Sequence, residues 1–374
     1  MSVPRPALWD IFCRVIDNLG DIGVCWRLCA DLASRGQRVR LWIDEPAPLR
    51  WMAPGALEGR WPDVQVIPWS EPLAAGLIDK LVPADAWIEA FGCDPPESLM
   101  ASMARHIDRG TAPPTWINLE YLSAESWVER CHGLPSPVMS GPLKGLTKTF
   151  FYPGFTPGTG GLLREPDLDA RHTAFDVAAW RRRHHVPDNA LAVSLFCYDP
   201  APALPALMAQ ATQARRPVHW MVTPGRAATA MAAALEALSP AQRPASDQIH
   251  VLPLVDQPAF DEMLWACDLN IVRGEDSLVR ALWAGKPFIW HIYPQHDDAH
   301  HAKLDAFLDW LEAPAGWRTL MGAWNRTGTT SVASWPGAPD LDAWSGTLAA
   351  RLARADRPGS LTDGLLSCVL RASG

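Results

Sequence analysis

Two carboxylates stand close together near the start of the chain, in the run Asp17-Asn18-Leu19-Gly20-Asp21-Ile22-Gly23. An apolar run that reads as a strand precedes them and a helical pattern follows. Ligands of open α/β sheets bind beyond the carboxyl ends of the strands, so acids in this turn are placed for proton transfer. The segment has no GxGxxG, and two acids would repel the pyrophosphate that such a turn usually cradles. The alternative is that Asp17 or Asp21 only caps the helix.

A second segment, Arg273-Gly274-Glu275-Asp276-Ser277, lies between the apolar run Leu269–Val272 and the helical pattern Leu278–Gly285. Strand, glycine turn and helix start together aim backbone N–H groups and a positive dipole end at one point, where a diphosphate can sit. Arg273 adds a guanidinium suited to phosphate oxygens, and Ser277 is a candidate both for the helix cap and for a phosphate contact. Glu275, Asp276 and Ser277 could equally serve as caps alone. Phe196 and Tyr198 end one strand, while Gln257 and Phe260 open a helix after another. The four could form a slot in which a base stacks and is read by an amide. Each aromatic taken singly also fits a core position.

The run His296-Asp297-Asp298-Ala299-His300-His301 places two histidines four apart, the spacing of a helical metal pair. An acid replaces the glutamate of HExxH, and Asp297 or Asp298 fits the start of the next helix, so no metal site is assigned. The glycine cluster Pro153-Gly154-Phe155-Thr156-Pro157-Gly158-Thr159-Gly160-Gly161 lacks the Lys-Ser/Thr of a P-loop and reads as a loop or hinge.

The elements that must hold these residues alternate. Strands are expected at residues 9–16, 38–43, 64–69, 86–91 and 115–119, with helices between, the first over 22–34. After the Gly/Pro-rich stretch 152–175, strands are expected at 190–198, 218–222, 249–254, 269–273 and 287–293, again with helices between. Helical patterns follow to the end. The chain therefore reads as an α/β protein with domains at 1–175 and 176–350 and a C-terminal helical segment, 351–374, that could return to the first domain. Two doubly wound, Rossmann-like domains facing a central cleft describe the GT-B architecture. A two-domain dehydrogenase or a periplasmic-type binding protein shares that outline.

Composition narrows the classes. The chain has 374 residues, 48% hydrophobic and 20% charged, as in ordinary globular proteins. A net charge of −8 with dispersed Lys and Arg gives no footprint for nucleic acid, and a basic partner suits it better. There is no membrane-length apolar run and no apolar leader, so a cytoplasmic location is expected. The 8 cysteines are scattered, without paired CxxC spacing, and read as buried thiols. The 19 tryptophans fit core packing or stacking on sugar and base.

The segments 10–33 (DIFCRVIDNLGDIGVCWRLCADLA), 117–129 (INLEYLSAESWVE), 152–165 (YPGFTPGTGGLLRE), 194–199 (SLFCYD) and 272–295 (VRGEDSLVRALWAGKPFIWHIYPQ) together resemble the EarP family, the arginine rhamnosyltransferases of elongation factor P. The resemblance runs over nearly the whole chain. It implies a GT-B fold, dTDP-β-L-rhamnose as donor, inversion at the anomeric carbon, elongation factor P as acceptor protein, and no metal or other cofactor. It implies Asp21 as general base, with Asp17 and Glu275 as further catalytic acids. Phe196, Tyr198, Gln257 and Phe260 match thymine-pocket positions, and Arg273, Asp276 and Ser277 match donor contacts. Asn118, Glu120 and Tyr121, in the segment INLEYLS, are expected to meet the acceptor. Leu254 departs from the aromatic that some relatives carry. Two other function classes share these features: another nucleotide-sugar transferase, and a noncatalytic binding protein for a translation factor.

Overall fold

The computed structural model describes residues 6–15, 19–69, 78, 80–295, 298–326, 334–354 and 357–372. Asp17, His296 and Asp297 lie outside these residues. The chain packs as two compact units, one of Met1–Pro166 with Pro358–Gly374, the other of Asp167–Arg357. The division falls before residue 175 because helix Leu168–Ala174 already belongs to the second unit: His172 stacks on Trp265 with ring centres 4.8 Å apart.

The first unit is built on a seven-stranded sheet of order β3-β2-β1-β4-β5-β7-β6. Its strands are β1 (Leu8–Cys13), β2 (Arg38–Ile43), β3 (Val64–Pro68), β4 (Ala86–Ala90), β5 (Thr115–Leu119), β6 (Pro135–Pro137) and β7 (Thr147–Phe151). All neighbours are parallel except β6 and β7. β1 and β4 are buried along their whole length, as expected of strands covered on both faces. Trp9, Ile11 and Cys13 pack into a core with helix Gly20–Ser34, while Leu8 and Phe12 join Trp42, Trp87 and Trp116 on the other side. One buried ion pair crosses β1 and β2. Arg40 donates to both oxygens of Asp10 at 2.6 and 2.7 Å, and Trp42 Nε1 donates to the same carboxylate at 2.8 Å. Each charge is thereby matched, which burial requires.

The last helix, Leu361–Ala372, closes this unit. Leu361, Leu365 and Val369, one stripe at helical spacing, enter the core that contains Cys25, Cys29 and Leu32. Thr362 Oγ1 donates to Asp31 Oδ2 at 2.6 Å, and Arg35 pairs with Asp363. The segment before the helix runs against residues 161–162, where a Cβ on Gly161 would stand 2.3 Å from the Gly359 carbonyl oxygen. Gly161 also has φ +77°, so only glycine fits that crossing.

The second unit carries an all-parallel sheet of order β10-β9-β8-β11-β12. Its strands are β8 (Leu191–Leu195), β9 (Val218–Val222), β10 (Ile249–Val251), β11 (Leu269–Arg273) and β12 (Phe288–His291). Helices Gln257–Ala266 and Gly274–Ala284 are tied by a buried pair in which Arg280 donates to both oxygens of Asp261 at 2.9 and 2.6 Å. Both sheets have the doubly wound order in which the chain reverses direction across the first strand of the unit. Two such units make up the GT-B class.

Six tryptophans, Trp9, Trp42, Trp87, Trp220, Trp290 and Trp317, are fully buried, which accounts for much of the tryptophan content as core. All eight cysteines are unpaired thiols, six of them buried. Among the described residues no helix is long and apolar enough to cross a membrane.

Candidate active site

At the carboxyl edge of the first sheet, β1, β4 and β5 lie side by side. Helix Gly20–Ser34 starts two residues earlier than the apolar period indicates, with Leu19 at the cap position. Asp21 is therefore inside the first turn and buried, not the cap residue. A carboxylate there faces the positive end of the helix dipole.

β4 is followed directly by Phe91, whose φ of +57° turns the chain sharply. Its ring stacks on Tyr121, just past β5, with centres 4.7 Å apart and planes at 22°. Tyr121 is exposed. In and just past β5, Asn118 Nδ2 donates to Glu120 Oε1 at 2.9 Å, and Asn118 Oδ1 is buried with no hydrogen-bond partner. Burial pushes the Glu120 carboxyl up, partly opposed by the Asn118 bond. An orphaned carbonyl, a desolvated carboxylate and an exposed aromatic face together suit a planar cation with several N–H donors. Of the three expected acceptor residues, Asn118 and Glu120 are bonded to each other, and Tyr121 is joined by Phe91.

In the second unit the carboxyl ends of β8, β11 and β12 assemble a cationic and aromatic cluster. Arg273 Nη1 donates to the Cys197 carbonyl at 2.9 Å. Its guanidinium lies 4.3 Å from the centre of the Phe196 ring and 5.2 Å from that of Tyr198. Phe196 meets Phe260 edge-on at 5.1 Å. Tyr198 meets His291 at 5.1 Å and Tyr293 at 5.5 Å, both edge-on. Gln257 is the first residue of helix Gln257–Ala266, buried, one turn before Phe260, and Asp256 caps that helix by accepting from Ala259 N at 2.9 Å. Leu254 is 57% exposed.

Electrostatics at this cluster follow from burial. Arg273 is pulled below the usual guanidinium range by desolvation, with the like charge of Arg226 adding to the effect and Tyr198 opposing it. The Tyr198 hydroxyl is pushed up by burial. His291 accepts from Tyr198 N through Nδ1 at 3.2 Å, which fixes the Nε2–H tautomer. Its pKa is lowered to about 3 by burial, with Arg273 contributing.

The helix after β11 begins at Gly274, four residues before the apolar pattern Leu278–Gly285. Gly274 has φ +66°, and a Cβ there would stand 3.0 Å from the Tyr198 hydroxyl. Ser277 is consequently inside the helix and buried, where it does not cap. Its hydroxyl accepts from Arg273 N at 3.0 Å and donates to the Arg273 carbonyl, so it fixes the backbone of the arginine. Glu275 and Asp276 occupy the first turn, half-buried. Glu275 Oε1 is held by Lys303 Nζ at 2.5 Å.

Among the described residues one cluster could gather a metal, Asp298, His300 and His301, whose ligand-capable atoms lie within 4.8 Å of one another. His300 Nδ1 accepts from Gln295 N at 3.1 Å, however, so that ring carries its proton on Nε2 and offers no open lone pair.

The family model for the elongation factor P (EF-P) rhamnosyltransferase EarP matches residues 9–369. The chain belongs to the EarP family. Over 341 residues it is 43% identical to a protein-arginine rhamnosyltransferase of Pseudomonas putida, covering 85% of this chain and 87% of that one. A protein of the same name from Pseudomonas aeruginosa is 42% identical over 359 residues, with 88% and 90% covered. A solved structure described as the structural basis for EarP-mediated arginine glycosylation of translation elongation factor EF-P has 29% identity and a TM-score of 0.60. The similarity covers 98% of this chain and all of that one. As an EarP family member the chain is a glycosyltransferase of GT-B fold.

Four residues of this candidate site escape sequence reasoning. Phe91, Arg226, His291 and Lys303 reach their partners through contacts between residues at least 28 apart in the chain. Only the position of each at or just past a strand end, or on the helix following β12, would have signalled it.

Proposed function

We propose that the protein transfers L-rhamnose from dTDP-β-L-rhamnose to an arginine side chain of elongation factor P, with inversion at the anomeric carbon and without a metal. The observation that carries this reading is Arg273, wedged between Phe196 and Tyr198 at the head of helix Gly274–Ala284. Base-stacking rings and a phosphate-binding charge there share one strand edge. Phe196, Phe260 and Gln257 take the thymine. Arg273 and the N–H groups of the first helical turn, where Asp276 lies, take the diphosphate. Ser277 holds the backbone of Arg273 in place.

A guanidinium is protonated at neutral pH and its lone pairs are delocalised, so it attacks poorly unaided. Asp21 is read as the base, with Asp17 as the second acid of the turn. In one step a guanidinium nitrogen forms a bond to the anomeric carbon on the face opposite the diphosphate. The bond from that carbon to the phosphate oxygen breaks with its electron pair, and the proton of the nitrogen passes to Asp21. The charge gathering on thymidine diphosphate is met by Arg273 and the helix dipole, which removes the need for a Lewis acid. Glu275 is the catalytic carboxylate of the second unit, and Asn118, Glu120 and Tyr121 hold the acceptor guanidinium. A sugar nucleotide and a translation factor as substrates place the enzyme in the cytoplasm, without nucleic acid or membrane.

The deciding experiment is the intact mass of elongation factor P after incubation with the protein and donor. One deoxyhexose on one arginine is expected, with release of thymidine diphosphate. Tight binding of the acceptor without an adduct, or turnover with a different nucleotide sugar only, would overturn the reading.

A further inference from the structure

The cationic cluster extends one member beyond the residues assigned above. Helix Arg226–Ala237 follows β9, which neighbours β8 in the sheet, and Arg226 opens it directly after Gly225, whose φ is +77°. The Arg226 guanidinium lies 5.8 Å from the centre of the Tyr198 ring. The contacts then run in sequence: Phe260 on Phe196 at 5.1 Å, Phe196 against Arg273 at 4.3 Å, Arg273 against Tyr198 at 5.2 Å, and Tyr198 against Arg226. One end of the series is aromatic and the other is cationic. Two guanidinium groups flank one buried phenol, and the charge of Arg226 adds to the cost of burying Arg273. That arrangement is stabilised by an anion carrying more than one charge.

We infer that Arg226 is a second phosphate-binding residue of the donor site, holding the terminal phosphate of a nucleoside diphosphate while Arg273 holds the phosphate next to the nucleoside. The assignment rests on the donor reading above. Arg273 is the arginine that touches Phe196 of the base slot, so it takes the nearer phosphate. Arg226 shares only the far ring, Tyr198, and takes the farther one. Because the terminal phosphate oxygen is the leaving group in sugar transfer, Arg226 also meets the charge that grows there as the glycosidic bond breaks. Arg226 is exposed and opens a helix whose buried residues are Ala227, Ala230, Met231 and Ala234, so its side chain can be changed without touching the core.

The test is calorimetric titration of the full chain and of Arg226→Gln and Arg226→Lys with thymidine diphosphate and thymidine monophosphate, after thermal melts show each variant folded. Arg226→Gln should weaken the diphosphate roughly tenfold to a hundredfold, the scale of a charge-assisted hydrogen bond, and leave the monophosphate within about twofold. Arg226→Lys should recover part of the loss. Equal weakening of both nucleotides, or of neither, overturns the assignment while the donor site stands. Failure of the unaltered protein to bind thymidine diphosphate overturns the donor site itself, and Arg226 with it.

Discussion

Lys303 Nζ stands 2.5 Å from Glu275 Oε1, joining helix Ala299–Leu311 to the first turn of helix Gly274–Ala284. Both side chains are 19% exposed, so the pair is shielded enough to hold the orientation of the carboxylate. Glu275→Gln should lower kcat by about two orders of magnitude. Lys303→Met should lower it about tenfold, and the double variant should be no slower than Glu275→Gln alone, because the lysine acts through the glutamate. Additive losses measured in a double-variant cycle would mean that Lys303 acts independently.

Asp21 lies inside a helical turn whose cap position is Leu19, so loss of its charge should not unravel the helix. Asp21→Asn is expected to reduce kcat by about a hundredfold or more, with the Kd for thymidine diphosphate nearly unchanged. Single-turnover rates and titrations on the folded variant check both. Rates near those of the unaltered protein would remove Asp21 from the role of base.

Gly274 combines φ +66° with a Cβ position 3.0 Å from the Tyr198 hydroxyl. Gly274→Ala should cost about 1 to 3 kcal/mol in backbone strain and displace either Tyr198 or the helix start. Urea unfolding reads the first effect. A weaker Kd for thymidine diphosphate reads the second.

Acid should destabilise the protein through its buried histidines. The folded pKa of His291 is lowered to about 3 from an ordinary 6.5, so the unfolded chain binds the extra proton between these values. Its contribution to stability is complete above about pH 6.5 and is lost as the pH falls toward 3. His132, His172, His219 and His250 are also lowered by burial and act in the same direction. Urea unfolding should show His291 alone costing roughly 2 kcal/mol between pH 7 and pH 5. His291→Asn should be less stable at pH 7 and show a shallower decline.

Turnover should survive exhaustive chelation if, as proposed, Arg273 and the helix dipole carry the leaving-group charge. Loss of activity in EDTA, restored by a divalent ion, would move that task to a metal.

The parallel strands were legible because burial on both faces leaves continuous apolar runs, as in β1, β8 and β11. β6 and β7 were not: Pro135–Pro137 and Thr147–Phe151 carry prolines and polar residues, and they pair at the sheet edge. The helix start at Gly274 was misplaced because Glu275-Asp276-Ser277 has the composition of a cap. A glycine at positive φ lets the helix leave β11 at once and turns Ser277 inward. The site residues expected from the sequence stand in runs of unusual composition. Lys303 and Arg226 stand in ordinary helical sequence, and only the tertiary fold brings them to Glu275 and Tyr198.

The return of Leu361–Ala372 to the first unit bears on how the protein is made. On the ribosome, residues 1–166 emerge before the second unit, yet the apolar surface around Cys25, Cys29 and Leu32 waits for Leu365 and Val369, translated after it. The second unit is continuous in sequence and can close on its own during synthesis, while the first stays unfinished until the second has been translated. Premature termination after the second unit but before residue 361 therefore leaves an unsealed hydrophobic face, a ready target for chaperones and proteases, even though every proposed catalytic residue has already been translated.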